Sequence, residues 1–275
     1  MKIGILGCGY VGQAAAKMWS LAGHELSATT RKPERLADLQ TLIPHPYLLT
    51  DASSLFSFLS QLDTLLVSVA PDSFADYQTT YLQTARQIAA GIPHAPHLKQ
   101  ILYTSSTSVY GDYQGEWVDE TARIHPSNAN NQCLYETEQI LLGLATEQRS
   151  VCIFRLGEIY GPQRDITDRL RRMHARPFPG TGNQYTNLIH VDDITRALDF
   201  AIQLRLNGIF NLCNDFHIPR KVFYEALCQK AHLPPIQWNH QDSNPHGGNK
   251  KVSNQKLKSL GFSFLEPLYS LHSII

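Results

Sequence analysis

The sequence predicts an α/β fold, a doubly wound parallel sheet carrying a small discontinuous lobe, and three observations predict it. An apolar stretch at the start runs into a glycine-rich turn. Strand-like and helix-like segments then alternate, giving five strands within about 105 residues, which implies right-handed crossovers and a parallel sheet. The second half changes texture, with tracts rich in Pro, Gly, Asn and His and only short helical runs.

The first strand is apolar through Ile3, Ile5 and Leu6, and Gly7-Cys8-Gly9-Tyr10-Val11-Gly12 then fits G-x-G-x-x-G. Such a strand, turn and helix reads as a Rossmann-like dinucleotide unit. Its first glycine makes the tight turn, the second lets a pyrophosphate touch backbone, and the third allows close helix packing. The helix over 11–22 then points the N–H groups of its first turn, from Tyr10 and Val11 onward, at the phosphates.

A second strand over 25–30 and a helix over 33–42, with Pro33 at its favoured first position, come next. The acid that would hold the ribose 2′-hydroxyl of NAD is missing from the end of that strand. Thr30-Arg31-Lys32 and Arg35 stand there instead, and cations at a helix N-terminus are unfavourable unless an anion shares the site. This tilts the cofactor to NADP over NAD, against a solvated charged helix end. A third strand over 45–50 leads to Asp51, which either reaches the adenine edge or caps the next helix. The strand over 63–70 ends in small residues, with Val69 and Ala70 suited to close approach of a cofactor. A helix over 73–91, a proline-broken loop and a fifth strand over 100–105 complete the alternation. A helix over 131–149, strands over 151–156 and 209–213, and a helix over 191–206 return to the sheet. The expected division is a dinucleotide-binding domain at 1–156, a substrate lobe at 157–190 and 213–250, and returning elements at 191–212 and 251–275.

The 24 basic and 24 acidic residues cancel, so nothing electrostatic points to nucleic acid or an acidic membrane surface, and any anion site is local. No basic leader and no run of about 18 apolar residues occurs, which reads as a cytoplasmic chain. Five scattered cysteines without a C-x-x-C pair read as free thiols in a reducing compartment. His94-Ala95-Pro96-His97 has no carboxylate or thiol beside it and reads as a solvated loop, so no metal is expected. The expected partner is a small-molecule substrate, with a monomer and a homodimer both open.

At Tyr103-Thr104-Ser105-Ser106-Thr107-Ser108-Val109-Tyr110-Gly111 the chain resembles an extended short-chain dehydrogenase/reductase of the sugar-nucleotide epimerase/dehydratase group. The resemblance extends to Trp117-Val118-Asp119-Glu120, to Arg155-Leu156-Gly157-Glu158-Ile159-Tyr160-Gly161-Pro162, to the segment from Asn187 through His190 to Asp193, and to Lys251-Val252-Ser253-Asn254. It implies that Ser106 holds a substrate hydroxyl or carbonyl, that Ser108 and Tyr110 lie on the substrate side, and that Tyr135 is the proton relay. A lysine four residues past the tyrosine should bind the nicotinamide ribose and lower the tyrosine pKa. Gln139 stands there, and no lysine occurs between Lys99 and Lys221. An ordinary tyrosine is phenolate in only about one part in a thousand at pH 7, and bringing its pKa near 7 takes roughly 4 kcal/mol of selective stabilisation. The chain therefore resembles the atypical members of this superfamily.

Bland readings stand beside these. Ser106 can satisfy backbone at a strand end, and Tyr135 can be an amphipathic helix residue. Asn187 and His190 can pin the turn before the helix at 191–206, with Asp192 and Asp193 as first-turn residues. Glu158 can position substrate or pair with Arg155. Arg164, Arg169, Arg171 and Arg172 read more readily as a solvated helix than as an anion site. Three functions remain in view: an NADP-dependent oxidoreductase-like protein with an atypical site acting on a small hydroxyl or carbonyl compound or a nucleotide-linked one, a silent NADP(H)-sensing module, and a sugar-nucleotide epimerase.

Overall fold

The computed structural model describes residues 1–173, 176–241 and 248–265. Its strands are β1 (Lys2–Leu6), β2 (Glu25–Thr30), β3 (His45–Leu48), β4 (Thr64–Val67), β5 (Gln100–Ser106), β6 (Trp117–Val118), β7 (Ser150–Leu156), β8 (Glu158–Tyr160), β9 (Phe178–Pro179), β10 (Leu188–His190), β11 (Gly208–Leu212), β12 (Trp238–Asn239) and β13 (Lys251–Val252). Its α-helices are α1 (Tyr10–Leu21), α2 (Leu36–Gln40), α3 (Ala52–Leu59), α4 (Gln83–Gly91), α5 (Ala129–Leu142), α6 (Ile166–Met173), α7 (Val191–Leu204), α8 (Arg220–Lys230) and α9 (Gln255–Ser259).

Seven strands form one sheet in the order β11-β7-β5-β4-β1-β2-β3, a Rossmann-like doubly wound arrangement. The pairs β1 with β2, β1 with β4, β2 with β3 and β4 with β5 all run parallel. The strand order reverses beside β1, which places the glycine turn at the carboxyl end of the sheet, where such folds bind ligands. β4 and β7 are buried at every position, as parallel strands covered on both faces must be.

The chain divides into two compact units. Unit 1 comprises Met1–Ser105, Gln132–Arg155 and Ile194–Phe210; unit 2 comprises Ser106–Asn131, Leu156–Asp193 and Asn211–Ile275. The core of unit 1 packs Leu55, Phe58 and Leu59 of α3 against Leu65, Ile101 and Ile153 of the sheet. Unit 2 has its own aromatic core around Tyr160, Phe178, Phe223 and Tyr224, and three two-stranded parallel ladders, β8 with β10, β9 with β12 and β6 with β13. The last of these explains why residues 106–131 and 248–265 group with unit 2 rather than with the sheet. The expected lobe and returning segment also contain residues 174–175, 242–247 and 266–275, which lie outside the described residues.

The expected helix over 73–91 is broken. A 3₁₀ turn at Phe74–Asp76 and a π-turn at Gln78–Leu82 precede α4, and the Cys133 thiol donates to the Tyr77 carbonyl at 3.5 Å. All five cysteines are buried and outside any disulfide. Among the described residues no helix is long and apolar enough to cross a membrane, and no group of three or more His, Cys, Asp or Glu is placed to hold a metal ion. His94 stacks on Phe56, with ring centroids 4.9 Å apart.

Candidate functional site

The glycine turn of unit 1 assigns a separate reason to each glycine. Gly7 has φ +90°, and a Cβ there would meet the Val69 Cα at 2.7 Å and the Ser68 carbonyl at 2.8 Å, so the turn lies against the end of β4. Gly12 would clash with the Gly7 carbonyl at 2.8 Å, which is the close strand-to-helix approach. Over Gly9 a Cβ would meet nothing within 4 Å. Gly9 is the N-cap of α1, no side chain caps the helix, and no acid lies in its first turn. The open space over Gly9 thus lies at the start of α1, where a helix N-terminus favours a pyrophosphate. Val69 is half-buried against the turn and Ala70 is exposed.

Arg31 and Lys32 follow β2 and are exposed, while Arg35 is half-buried. The Thr30 hydroxyl accepts the Lys32 N–H at 3.1 Å, and Arg31 donates to the Thr84 hydroxyl at 3.2 Å. Lys32 pairs with Asp72 at 3.3 Å, and Arg35 reaches back to the Cys8 carbonyl inside the glycine turn at 3.3 Å. Burial pushes the Cys8 thiol up to about 11, against the lowering effect of Arg35, so it is neutral at physiological pH. Asp51 caps α3: its carboxylate accepts the Ser54 N–H at 2.8 Å, and the Ser54 hydroxyl closes a capping box. These hydrogen bonds, led by the Ser54 N–H, hold the Asp51 carboxyl below its ordinary value.

On α5, Tyr135 is half-buried and Gln139 is exposed. Between them lies a residue that sequence reasoning missed. Glu138 is 0% exposed and is gripped by Arg155 of β7, itself 2% exposed, through Nε at 3.1 Å and Nη2 at 2.6 Å. The Ser105 hydroxyl completes the set at 2.6 Å from Glu138 Oε1. The signal was present in the sequence: Leu134, Glu138 and Leu141 share the core-facing line of α5, and a carboxylate on such a line requires a buried cation. Arg155 is the one cation in the otherwise neutral β7.

In unit 2, Ser106 caps the 3₁₀ turn Thr107–Tyr110, its Oγ accepting the Ser108 N–H at 3.1 Å. Tyr110 is fully buried, and its hydroxyl donates to Asn211 Oδ1 at 2.7 Å, so its polar end is spent inside the fold. Asn187 ties its segment to β13, accepting the Val252 N–H at 2.8 Å and donating to the Lys250 carbonyl at 3.0 Å. His190 Nδ1 lies 3.2 Å from the Asp192 N–H and 3.5 Å from the Asp192 carboxylate, in the first turn of α7. Glu158 does not pair with Arg155, whose guanidinium is held by Glu138. Its partners are Arg169, which also donates to the Tyr224 hydroxyl at 3.0 Å, and Arg220 at 3.4 Å. Burial alone would raise the Glu158 carboxyl, but the two guanidinia outweigh it and hold it below its ordinary value. Arg171 makes a local pair with Asp168 at 2.6 Å.

Known proteins resemble this chain over nearly its whole length. The chain is 28% identical over 276 residues to Protein YeeZ of Escherichia coli K12, covering 97% of this chain and 96% of that one. A functionally unknown conserved protein from Silicibacter pomeroyi superimposes with a TM-score of 0.78 at 26% identity, over 98% and 95% of the two chains. The fold is also shared with MoeE5 in complex with UDP-glucose and NAD, with a TM-score of 0.82 at 19% identity over 100% and 96%. UDP-glucuronic acid 4-epimerase of Bacillus cereus, in complex with UDP-glucuronic acid and NAD, gives 0.81 at 17% over 100% and 99%. The model of the NAD dependent epimerase/dehydratase family matches residues 3–213, from β1 through the end of the central sheet, and the chain belongs to that family.

Proposed function

We propose that this chain is a nicotinamide-dinucleotide-dependent oxidoreductase-like protein with an atypical proton-transfer site, acting on a small hydroxyl or carbonyl substrate or a nucleotide-linked one, and preferring NADP. The observation that carries the reading is the glycine turn, with open space over Gly9 at the uncapped start of α1. Gly7, Gly9, Gly12 and the first N–H groups of α1 would hold the pyrophosphate, with Val69 and Ala70 beside it. Thr30, Arg31, Lys32 and Arg35 would take the 2′-phosphate. Asp51 is committed to its cap and contributes at most a neighbouring wall. The bound dinucleotide supplies hydride transfer.

In this reading Tyr135 moves the proton and Gln139 hydrogen-bonds a ribose hydroxyl without bringing charge. Ser106 holds the substrate oxygen, and Ser108, Asn187, His190 and Glu158 lie on the substrate side. Oxidising an alcohol asks tyrosine to accept a proton, whereas reducing a carbonyl asks it to give one, so loss of the lysine handicaps reduction less. Proteins of the same fold bind UDP-sugars together with NAD, which supports a nucleotide-linked substrate. The exposed, uncharged Gln139 favours a second reading, a dinucleotide-binding module without turnover.

Calorimetric titration with NADP and NAD at low salt tests the cofactor. The 2′-phosphate contact should give at least a tenfold preference for NADP that shrinks in Arg31→Ala, since a charge-assisted hydrogen bond contributes about 1.5 to 3 kcal/mol. Equal affinities would refute the preference. NADPH consumption across a carbonyl library, abolished in Tyr135→Phe and accompanied by a gain in alcohol oxidation in Gln139→Lys, separates the enzyme from the silent module.

A further inference from the structure

Unit 2 contains a charge arrangement that closure of its own fold does not require. Arg169 from α6 and Arg220 from the first position of α8 converge on one carboxylate, Glu158 of β8. The three side chains are 35%, 22% and 24% exposed, so the cluster is sheltered yet open to solvent. Two guanidinia and one carboxylate leave an excess of one positive charge. The first turn of α8 adds to it, because it contains no acid and its cap, Pro219, supplies no side-chain acceptor. Tyr224 braces the pair, with its hydroxyl on Arg169 and its ring 5.7 Å from the Arg220 guanidinium carbon, so both cations are held in place before any ligand arrives. Arg169 Nε is buried with no acceptor among the described residues, which shows that Glu158 alone does not satisfy the fork.

We propose that Arg169 and Arg220 form an oxyanion-binding fork in which Glu158 is a built-in competitor that sets how much ligand charge the site accepts. The inference rests on the reading of unit 2 as the substrate side and narrows the substrate to compounds carrying a phosphoryl or carboxylate group. Guanidinium forks bind both groups through paired N–H donors, so the chemistry is shared between them. Glu158 already fills one face of the fork. An incoming anion meets a net charge of one rather than two, which makes Glu158 a specificity-determining residue.

The test is calorimetric titration of the apo chain at low salt with inorganic pyrophosphate and, in a second arm, with malonate. Glu158→Gln should bind at least one of these probes tenfold or more tightly than the wild type, and adding Arg220→Gln to that variant should remove the gain. The arm that tightens more identifies the phosphoryl or the carboxylate group. If Glu158→Gln does not fold, as judged by circular dichroism and thermal melting, Arg220→Gln alone decides, and it should weaken wild-type binding of the better probe at least fivefold. Unchanged affinity in a folded Glu158→Gln, or in Arg220→Gln where that variant decides, overturns the proposal. No nicotinamide cofactor is needed for any arm. A chain whose anion affinity responds to the Glu158 and Arg220 variants as stated but which binds no dinucleotide would refute the proposed function and leave the fork standing; one that binds dinucleotide but whose anion affinity ignores both variants would do the reverse.

Discussion

Gly7 and Gly9 stand two positions apart and are glycine for opposite reasons. At Gly7 the backbone is left-handed and the space is filled by β4, so Gly7→Ala incurs both strain and a clash with backbone; a loss of about 3 kcal/mol or more is expected, measured by urea unfolding. At Gly9 the space is open, so Gly9→Val should melt within a few degrees of the wild type yet lose the thermal stabilisation that NADP confers. Lys250 is a second residue whose burial has a measurable sign. It is 4% exposed, its ammonium donates to the Gly111 carbonyl at 3.0 Å, and burial, only partly offset by Asp112, pushes its pKa from 10.5 down to about 8. Between those two values the unfolded chain holds more protons than the folded one, so stability rises with pH there, by up to about 3 kcal/mol. Lys250→Met should flatten that rise in a pH series of denaturation midpoints, whatever it does to stability at pH 7.

Helix α5 shows what the sequence could and could not disclose about an element. The existence of the helix and its place before β7 were legible in the sequence pattern, while Tyr135 stood out only through the family resemblance. The helix's registration against the sheet was not legible, because that depends on the grip of Arg155 and Ser105 on Glu138, which joins residues 17 and 33 positions apart. A buried pair costs most when half of it is removed. Glu138→Ala should therefore destabilise by about 3 to 5 kcal/mol, while the double change Glu138→Leu with Arg155→Met should recover at least half of that loss; if the double variant is no more stable than the single, the pair is not what holds α5. The π-turn ahead of α4 was illegible for a related reason. Beside it the Cys133 thiol meets the Tyr77 carbonyl, a contact between residues 56 positions apart that no local pattern discloses. Of the two readings the sequence left open for Glu158, pairing with Arg155 is not formed, because packing brings Arg155 to Glu138.

For the molecule as a whole, alternation of strand and helix was enough to give a parallel doubly wound sheet, while its strand order, β11-β7-β5-β4-β1-β2-β3, is visible only in the fold. The extent of unit 2 was not recoverable, because β6 and β13 are two residues each and pair across more than 130 positions of sequence, too short and too distant to leave a periodic signal. Charge also acts at this scale. With 24 charges of each sign and a pI near 7.2, colloidal repulsion should be weakest near neutrality, and static light scattering should show the lowest second virial coefficient between about pH 7 and 7.5, rising to either side. A coefficient that is flat across pH 6 to 9 would show that a local patch, not net charge, governs association.

The five buried thiols make the chain its own reporter of transient opening. Burial raises the pKa of Cys8, Cys133, Cys213 and Cys228, so a thiol reagent finds neither access nor thiolate while the fold is closed. Labelling must then wait for local unfolding, and its rate reads the free energy of that opening as hydrogen exchange does for amides. Cys8, Cys133 and Cys152 belong to unit 1, Cys213 and Cys228 to unit 2. Mass spectrometry of a labelling time course, with and without NADP, would therefore show which unit breathes first and which one the cofactor quiets, without a single engineered probe.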